Sequence, residues 1–221
     1  MPTLADSCGA DARGFRRLAL RTQDGVRLRG AVMGSGSVTV VFAHQTDDDL
    51  CAWLPYARRL GAGHRVLAVD FRAKGGSDGA PGAGLGRYDR DIVAAVRWAR
   101  AHGATRVVLV GASMGATAVL SAAGRVPVDA VVSLSAPAEW PDLDPRRVLA
   151  SGRTPVDLVA ATDDVQFADG ARQLARAAKK RPGVRLTLVP GAAHGVQLTD
   201  VSDATGRRVD AIIRRAVAAA G

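Results

Sequence analysis

Two short segments hold residue types that could perform nucleophilic chemistry. Gly111-Ala112-Ser113-Met114-Gly115 follows the β-branched run Val107-Val108-Leu109-Val110 and opens a stretch of helical character. The G-x-S-x-G spacing suits a sharp strand-to-helix turn that lifts the serine above a sheet, with glycines where side chains would meet backbone. At this glycine and serine content roughly 0.1 such matches arise by chance. A serine hydroxyl attacks poorly until a base takes its proton. Of the four histidines, His194 in Gly191-Ala192-Ala193-His194-Gly195 is the best placed, because it directly follows the apolar run 184–189. His64 lies at the start of a strand, and His102 ends a helix, where a cation suits the dipole. An acid that orients the imidazole and stabilises its charged form is available in Thr162-Asp163-Asp164, just after Leu158-Val159-Ala160. Either aspartate fits that place, the other then capping a turn.

Such residues need a scaffold that gathers several strand ends. Residues 16–21 and 26–32 read as strands around Asp24-Gly25, a hairpin signal, and 38–43 as a continuous apolar strand. The segment 50–60 has apolar residues at helical spacing and stops at Gly61. Further strands are predicted at 65–69, 106–110, 128–134, 155–160 and 184–189, and helices at 88–101, 115–123, 167–180 and 201–220. Alternation of this kind implies a mostly parallel α/β sheet with helices on both faces, since parallel strands need long crossovers. The opening hairpin adds an antiparallel edge. Ligands of such sheets bind beyond the carboxyl ends of the strands, where Ser113, His194 and both aspartates fall. Residues 1–14 are small and polar and read as a loosely held tail, leaving 15–221 as one domain. Gly82-Ala83-Gly84-Leu85-Gly86 lacks the spacing of a dinucleotide fingerprint and reads as a flexible loop.

With these landmarks in hand, the chain resembles the α/β-hydrolase superfamily from about residue 16 to 221. The matching positions are Val40-Val41-Phe42-Ala43-His44, Trp53, Val69-Asp70-Phe71-Arg72 with Gly76-Ser77, the serine turn, the acid and the histidine, in the order Ser, Asp, His. The resemblance implies a serine hydrolase that cleaves carboxylic esters through an acyl-enzyme, without a cofactor, on a small-molecule or surface-presented ester. Ser113 would be the nucleophile and His194 the base. Ala161 takes the place of the glycine that ends the acid's strand in relatives, which favours Asp164 over Asp163. Backbone N–H groups of Met114 and Thr46, with Gln45 as the alternative to Thr46, would form the oxyanion hole. Where relatives commonly have His-Gly after the third strand, this chain has His44-Gln45-Thr46. His44 then reads as a loop-organising residue, and the Gln45 side chain as a candidate site lining with some similarity to the dienelactone-hydrolase branch. Only about 20 residues separate 134 from 155, too few for a cap domain. Trp140, Pro141 and Pro145 in that stretch would form a short rim, with Trp140 a candidate lining residue, and the site should be open. Thioesterase, amidase, peptidase and perhydrolase chemistry use the same triad, and a catalytically silent binding protein keeps the same fold.

Composition narrows the classes further. The chain has 221 residues, of which 48% are hydrophobic and 23% charged. That length suits one domain able to bury roughly 70% of its unfolded surface. Its net charge of +9 invites a nucleic-acid reading, but the cations are scattered, several sit at helix C-termini, and no basic-aromatic interleaving occurs. The uncharged run 107–124 reaches the lower limit for a spanning helix, about 18 residues, yet reads better as a buried strand, a turn and a buried helix. Asp47-Asp48-Asp49 is explained by a helix N-terminus rather than a metal. Residues 1–12 lack a signal-peptide pattern, so a cytoplasmic chain with Cys8 and Cys51 as free thiols is the default. In an exported chain whose signal had been removed before Met1, a Cys8–Cys51 bridge would pin the tail, contributing about 4 kcal/mol. Nothing in the sequence specifies an oligomeric state.

Overall fold

The computed structural model describes residues 3–61, 63–79, 86–179 and 181–220. The flexible-loop reading of Gly82 to Leu85 and the predicted helix end at Lys180 fall outside them. The strands are β1 (Arg16–Arg21), β2 (Arg27–Met33), β3 (Val38–Ala43), β4 (Arg65–Val69), β5 (Arg106–Ala112), β6 (Ala130–Leu134), β7 (Val156–Ala161) and β8 (Val184–Val189). The helices are α1 (Leu4–Cys8), α2 (Leu54–Leu60), α3 (Tyr88–Ala101), α4 (Met114–Ala122), α5 (Pro145–Ser151), α6 (Val165–Ala177) and α7 (Ala204–Ala220).

All eight strands form one sheet in the order β1-β2-β4-β3-β5-β6-β7-β8. β1 pairs antiparallel with β2 around a turn in which Gly25 has φ +89°, and β2 pairs antiparallel with β4. Every other pairing is parallel. From β3 the chain passes to β4 on one side, and the later strands add on the other. The connections leaving β3 and β5 therefore diverge and open a crevice at their carboxyl ends.

Side chains alternate between two apolar layers, as the period of a strand requires. Val41 of β3 and Val107 and Leu109 of β5 pack under α3, α4, α5 and α6. Val40, Phe42, Val108 and Val110 face α1, α2 and α7. All six residues of β3 are buried, which explains its continuous apolar run. The uncharged segment 107–124 is β5 followed by α4, buried between these layers. Among the described residues no helix is long and apolar enough to cross a membrane.

Most predicted elements differ from the observed ones only at their ends, with three exceptions. The helix expected over 50–60 divides into a 3-10 turn, Leu50–Trp53, and α2. Pro55 sits in the first turn of α2, where its missing N–H costs no hydrogen bond. The closing helix begins at Ala204, three residues later than expected, since residues 201–203 form a turn in which the Ser202 N–H donates to Asp200 Oδ1.

The N-terminal segment is the third exception, for it is anchored rather than loose. Thr3 caps α1 reciprocally with Asp6, Leu4 and Ala12 enter the α2/α7 layer, and Cys8 is bonded to Cys51. The default of two free thiols is thus replaced by a disulfide. The small, polar composition of 1–14 concealed how much one leucine and one covalent bond can hold.

Between β6 and β7 the chain makes α5, whose Leu149 is buried in the α3–α6 layer. This crossover segment packs beside the sheet and builds no cap domain. Trp140 bridges to Leu143 and is half-buried against the same layer.

Candidate active site

The serine turn is tight because its neighbours leave no room for more than hydrogen at two positions. A Cβ on Gly111 would stand 2.4 Å from the Gly115 carbonyl oxygen, and one on Gly115 2.5 Å from the carbonyl oxygens of Ala43 and His44. The chain can therefore turn from β5 into α4 within one residue. That residue, Ser113, has φ +51° and ψ −117°, a conformation costing a non-glycine residue about 1–3 kcal/mol. Its N–H donates to the Leu134 carbonyl at 2.8 Å, and its carbonyl accepts from Ala116 and Thr117. Met114 begins α4, so its N–H lies at the positive end of that helix.

His194 follows β8 and reaches the end of β7. Its Nδ1 lies 2.7 Å from Asp164 Oδ2. An N–H on Nδ1 donating to the carboxylate leaves Nε2 as the basic nitrogen. Asp164 stands at the N-terminus of α6, while the neighbouring Asp163 is exposed and accepts from the Thr162 hydroxyl. Of the two aspartates left open by the residue pattern, Asp164 is thus the one brought to His194. The side chains of His194 and Asp164 are 27% and 15% exposed, enough for solvent or a ligand to reach them. Phe167 packs against the imidazole with ring centroids 4.2 Å apart.

The turn carrying His194 is held by three side chains. The His194 N–H donates to Gln197 Oε1 at 3.2 Å, the Gly195 N–H to Ser135 Oγ at 3.1 Å, and the Val196 N–H to Gln45 Oε1 at 3.1 Å. Ser135 is buried, with φ +52°, at the end of β6.

The loop after β3 is fixed just as closely. His44 is fully buried, its Nδ1 2.7 Å from the Gln45 carbonyl and its Nε2 accepting the Phe71 N–H at 3.2 Å. Burial holds its pKa below the ordinary histidine value, so both bonds are made by a neutral ring organising the loop. The Thr46 carbonyl accepts from Lys74 Nζ at 2.8 Å, and the Asp48 N–H donates to the Gln45 carbonyl. Asp49 caps the 3-10 turn at the Cys51 N–H and pairs with Arg29 at 3.1 Å. Asp70, also fully buried, accepts from the Leu50 and Gly76 N–H groups and pairs with Arg29. The acidic run is thereby tied to local structure through Asp49.

Ser135 and Phe167 were missed in the sequence. Phe167 carries a signal, being three residues beyond Asp164 and so on the same helix face. Ser135 carries none, since its role depends on a contact 60 residues away.

A family model described as the alpha/beta hydrolase fold matches residues 39–150, just over half of the chain. No curated protein matches it in sequence. Among solved structures, the esterase Pf2001 of Pyrococcus furiosus superposes with a TM-score of 0.76 at 20% identity, covering 91% of each chain. The esterase domain of a Rhodothermus marinus protein gives 0.70 at 20% identity, over 94% of this chain and 99% of that one. The esterase RhEst1 of Rhodococcus sp. ECU1013 gives 0.73 at 18% identity, over 94% and 100%. With the strand order, the serine turn and the family match in agreement, the chain belongs to the alpha/beta hydrolase fold family.

Proposed function

We propose that the protein is a serine hydrolase acting on carboxylic esters. The observation that carries this reading is the 2.7 Å contact between His194 and Asp164, beyond the carboxyl ends of the same sheet as the turn that carries Ser113. Ser113 Oγ attacks the ester carbonyl as His194 Nε2 takes its proton. Asp164 keeps the proton of the free ring on Nδ1 and stabilises the imidazolium. The tetrahedral oxyanion is held by the N–H of Met114 and one from the loop after β3, of Thr46 or Gln45. His194 then protonates the departing alcohol, and water releases the acyl group by the same route. No step calls on a cofactor or metal. The esterase names of the structural neighbours agree with this reading. The lack of a cap between β6 and β7 favours small or surface-presented esters, with Trp140 and Gln45 at the margin of the site.

The test is hydrolysis of a panel of p-nitrophenyl esters, with a thioester and an amide included, by the wild type and Ser113→Ala. The variant should lose turnover by about 10⁴-fold or more and should not be labelled by a fluorophosphonate. Near-normal ester hydrolysis by Ser113→Ala would refute the assignment. A folded wild type that neither turns over nor labels would mark a ligand-binding member of the fold.

A further inference from the structure

We infer that Gln45 is a positioning residue that couples the oxyanion loop to the loop bearing the base, an inference resting on the ester-hydrolase reading above. The N–H groups at the start of a short helix have no partner within it. Those of His194, Gly195 and Val196 each find a side-chain oxygen. Gln197 belongs to the same turn and moves with it. Ser135 and Gln45 come from other strand ends, 60 and 151 residues away in sequence, so they fix the turn relative to the sheet.

Gln45 differs from Ser135 in what its main chain does. Its carbonyl bonds His44 Nδ1 and the Asp48 N–H, so its backbone is part of the rigid loop after β3. Its side chain reaches the other loop, and the approach is close. A Cβ on Gly195 would stand 2.0 Å from Gln45 Oε1, and Gly195 has φ +56°. Only glycine leaves room for the amide there, so Gln45 and Gly195 form a matched pair. One residue therefore spans the donors that stabilise the oxyanion and the loop that moves the proton. Their relative placement decides whether both act on the same carbonyl, and a displacement of about 1 Å can cost about 100-fold in rate.

The test compares Gln45→Met, which keeps the length but removes the acceptor, with Gln45→Glu, which retains an acceptor oxygen. Both keep the backbone N–H that the oxyanion hole could use. Gln45→Met should lower kcat on a p-nitrophenyl ester by about 10- to 100-fold with KM little changed. Amide hydrogen exchange at Val196 should quicken in the same variant. Gln45→Glu should restore both at a pH where its carboxyl is ionised. Gln45→Met with kcat within twofold of wild type and unchanged Val196 exchange would overturn the inference, and so would an equal loss in Gln45→Glu. Should the wild type itself neither hydrolyse nor label, the ester-hydrolase reading fails. The Val196 exchange comparison would still decide whether the coupling exists.

Discussion

Removing the Cys8–Cys51 bond should lower stability by an amount that follows from its place in the chain. The bond closes a loop with a sequence separation of 43, and chain-entropy arithmetic for a loop of that size gives about −13 cal/mol/K, or about 4 kcal/mol at 25 °C. The folded state offers little to offset this loss. The segment stays docked without the bond, through Leu4, Ala12 and Phe15 in the core and through Arg58, which donates to the Ala10, Asp11 and Arg13 carbonyls. The reduced protein should remain folded, with the whole effect falling on the unfolded chain. For a chain of about 200 residues 1 kcal/mol shifts the midpoint by about 2–4 °C, so the expected fall in Tm is about 8–16 °C. Guanidinium unfolding of the wild type, with and without a phosphine reductant, and of the Cys8→Ser/Cys51→Ser variant should give the same loss by both routes. The m-value should rise slightly, since a chain without the cross-link exposes more surface. A loss under about 1 kcal/mol would refute the reasoning, and so would a reduced protein that is unfolded at 25 °C, with its far-ultraviolet circular dichroism lost.

Asp164→Asn should reduce kcat by about 10⁴-fold while Asp163→Asn stays within a few-fold of wild type; steady-state kinetics with the reverse pattern would exchange their roles. Gly115→Ala pushes a methyl group into two carbonyl oxygens at 2.5 Å, an overpacking that should cost about 1–3 kcal/mol or more in denaturant unfolding. Asp24 is held below the usual carboxylate range first by its hydrogen bonds to Arg72. Its contribution to stability is therefore present above its unfolded pKa of about 3.9 and disappears as pH falls through the lower folded value. Asp24→Asn should flatten that acid loss, read as the difference between the two proteins' melting curves from pH 6 to 2. The difference is needed because Asp91, pushed up to about 6 by burial, contributes with the opposite sign.

The parts of the site legible in the sequence were those dictated by local sterics. Gly111 and Gly115 announce the serine turn because only hydrogen fits beside the backbone there, and that constraint lies within five residues. His194 and the aspartates could be found once strand ends were placed, because apolar runs mark strands. What the pattern could not carry was set by contacts between distant segments. The residue pattern alone leaves Asp163 and Asp164 open and only the resemblance favours Asp164, because the contact with His194 is made across to the β8 loop. The Ser135 and Gln45 bonds to that loop join residues with no shared local pattern. The insertion of β4 between β2 and β3 arises from crossover geometry, and the anchoring of 1–14 from a bond between two cysteines that read by default as free thiols.

The disulfide also constrains the order in which the sheet is assembled. The covalent ring it closes contains β1, β2 and β3, yet β2 and β3 are not neighbours, since β4, made later in the chain, lies between them. Two strand spacings, about 10 Å, must therefore remain open inside the ring until residues 65–69 arrive. If the bond closes first, the ring presents two strand edges with unpaired backbone N–H and C=O groups across a gap of one strand's width, and direct pairing of β2 with β3 becomes a competing arrangement. β4 must then enter a gap bounded by a closed covalent ring, whereas in the reduced chain β2 and β3 are joined only by their own short connection.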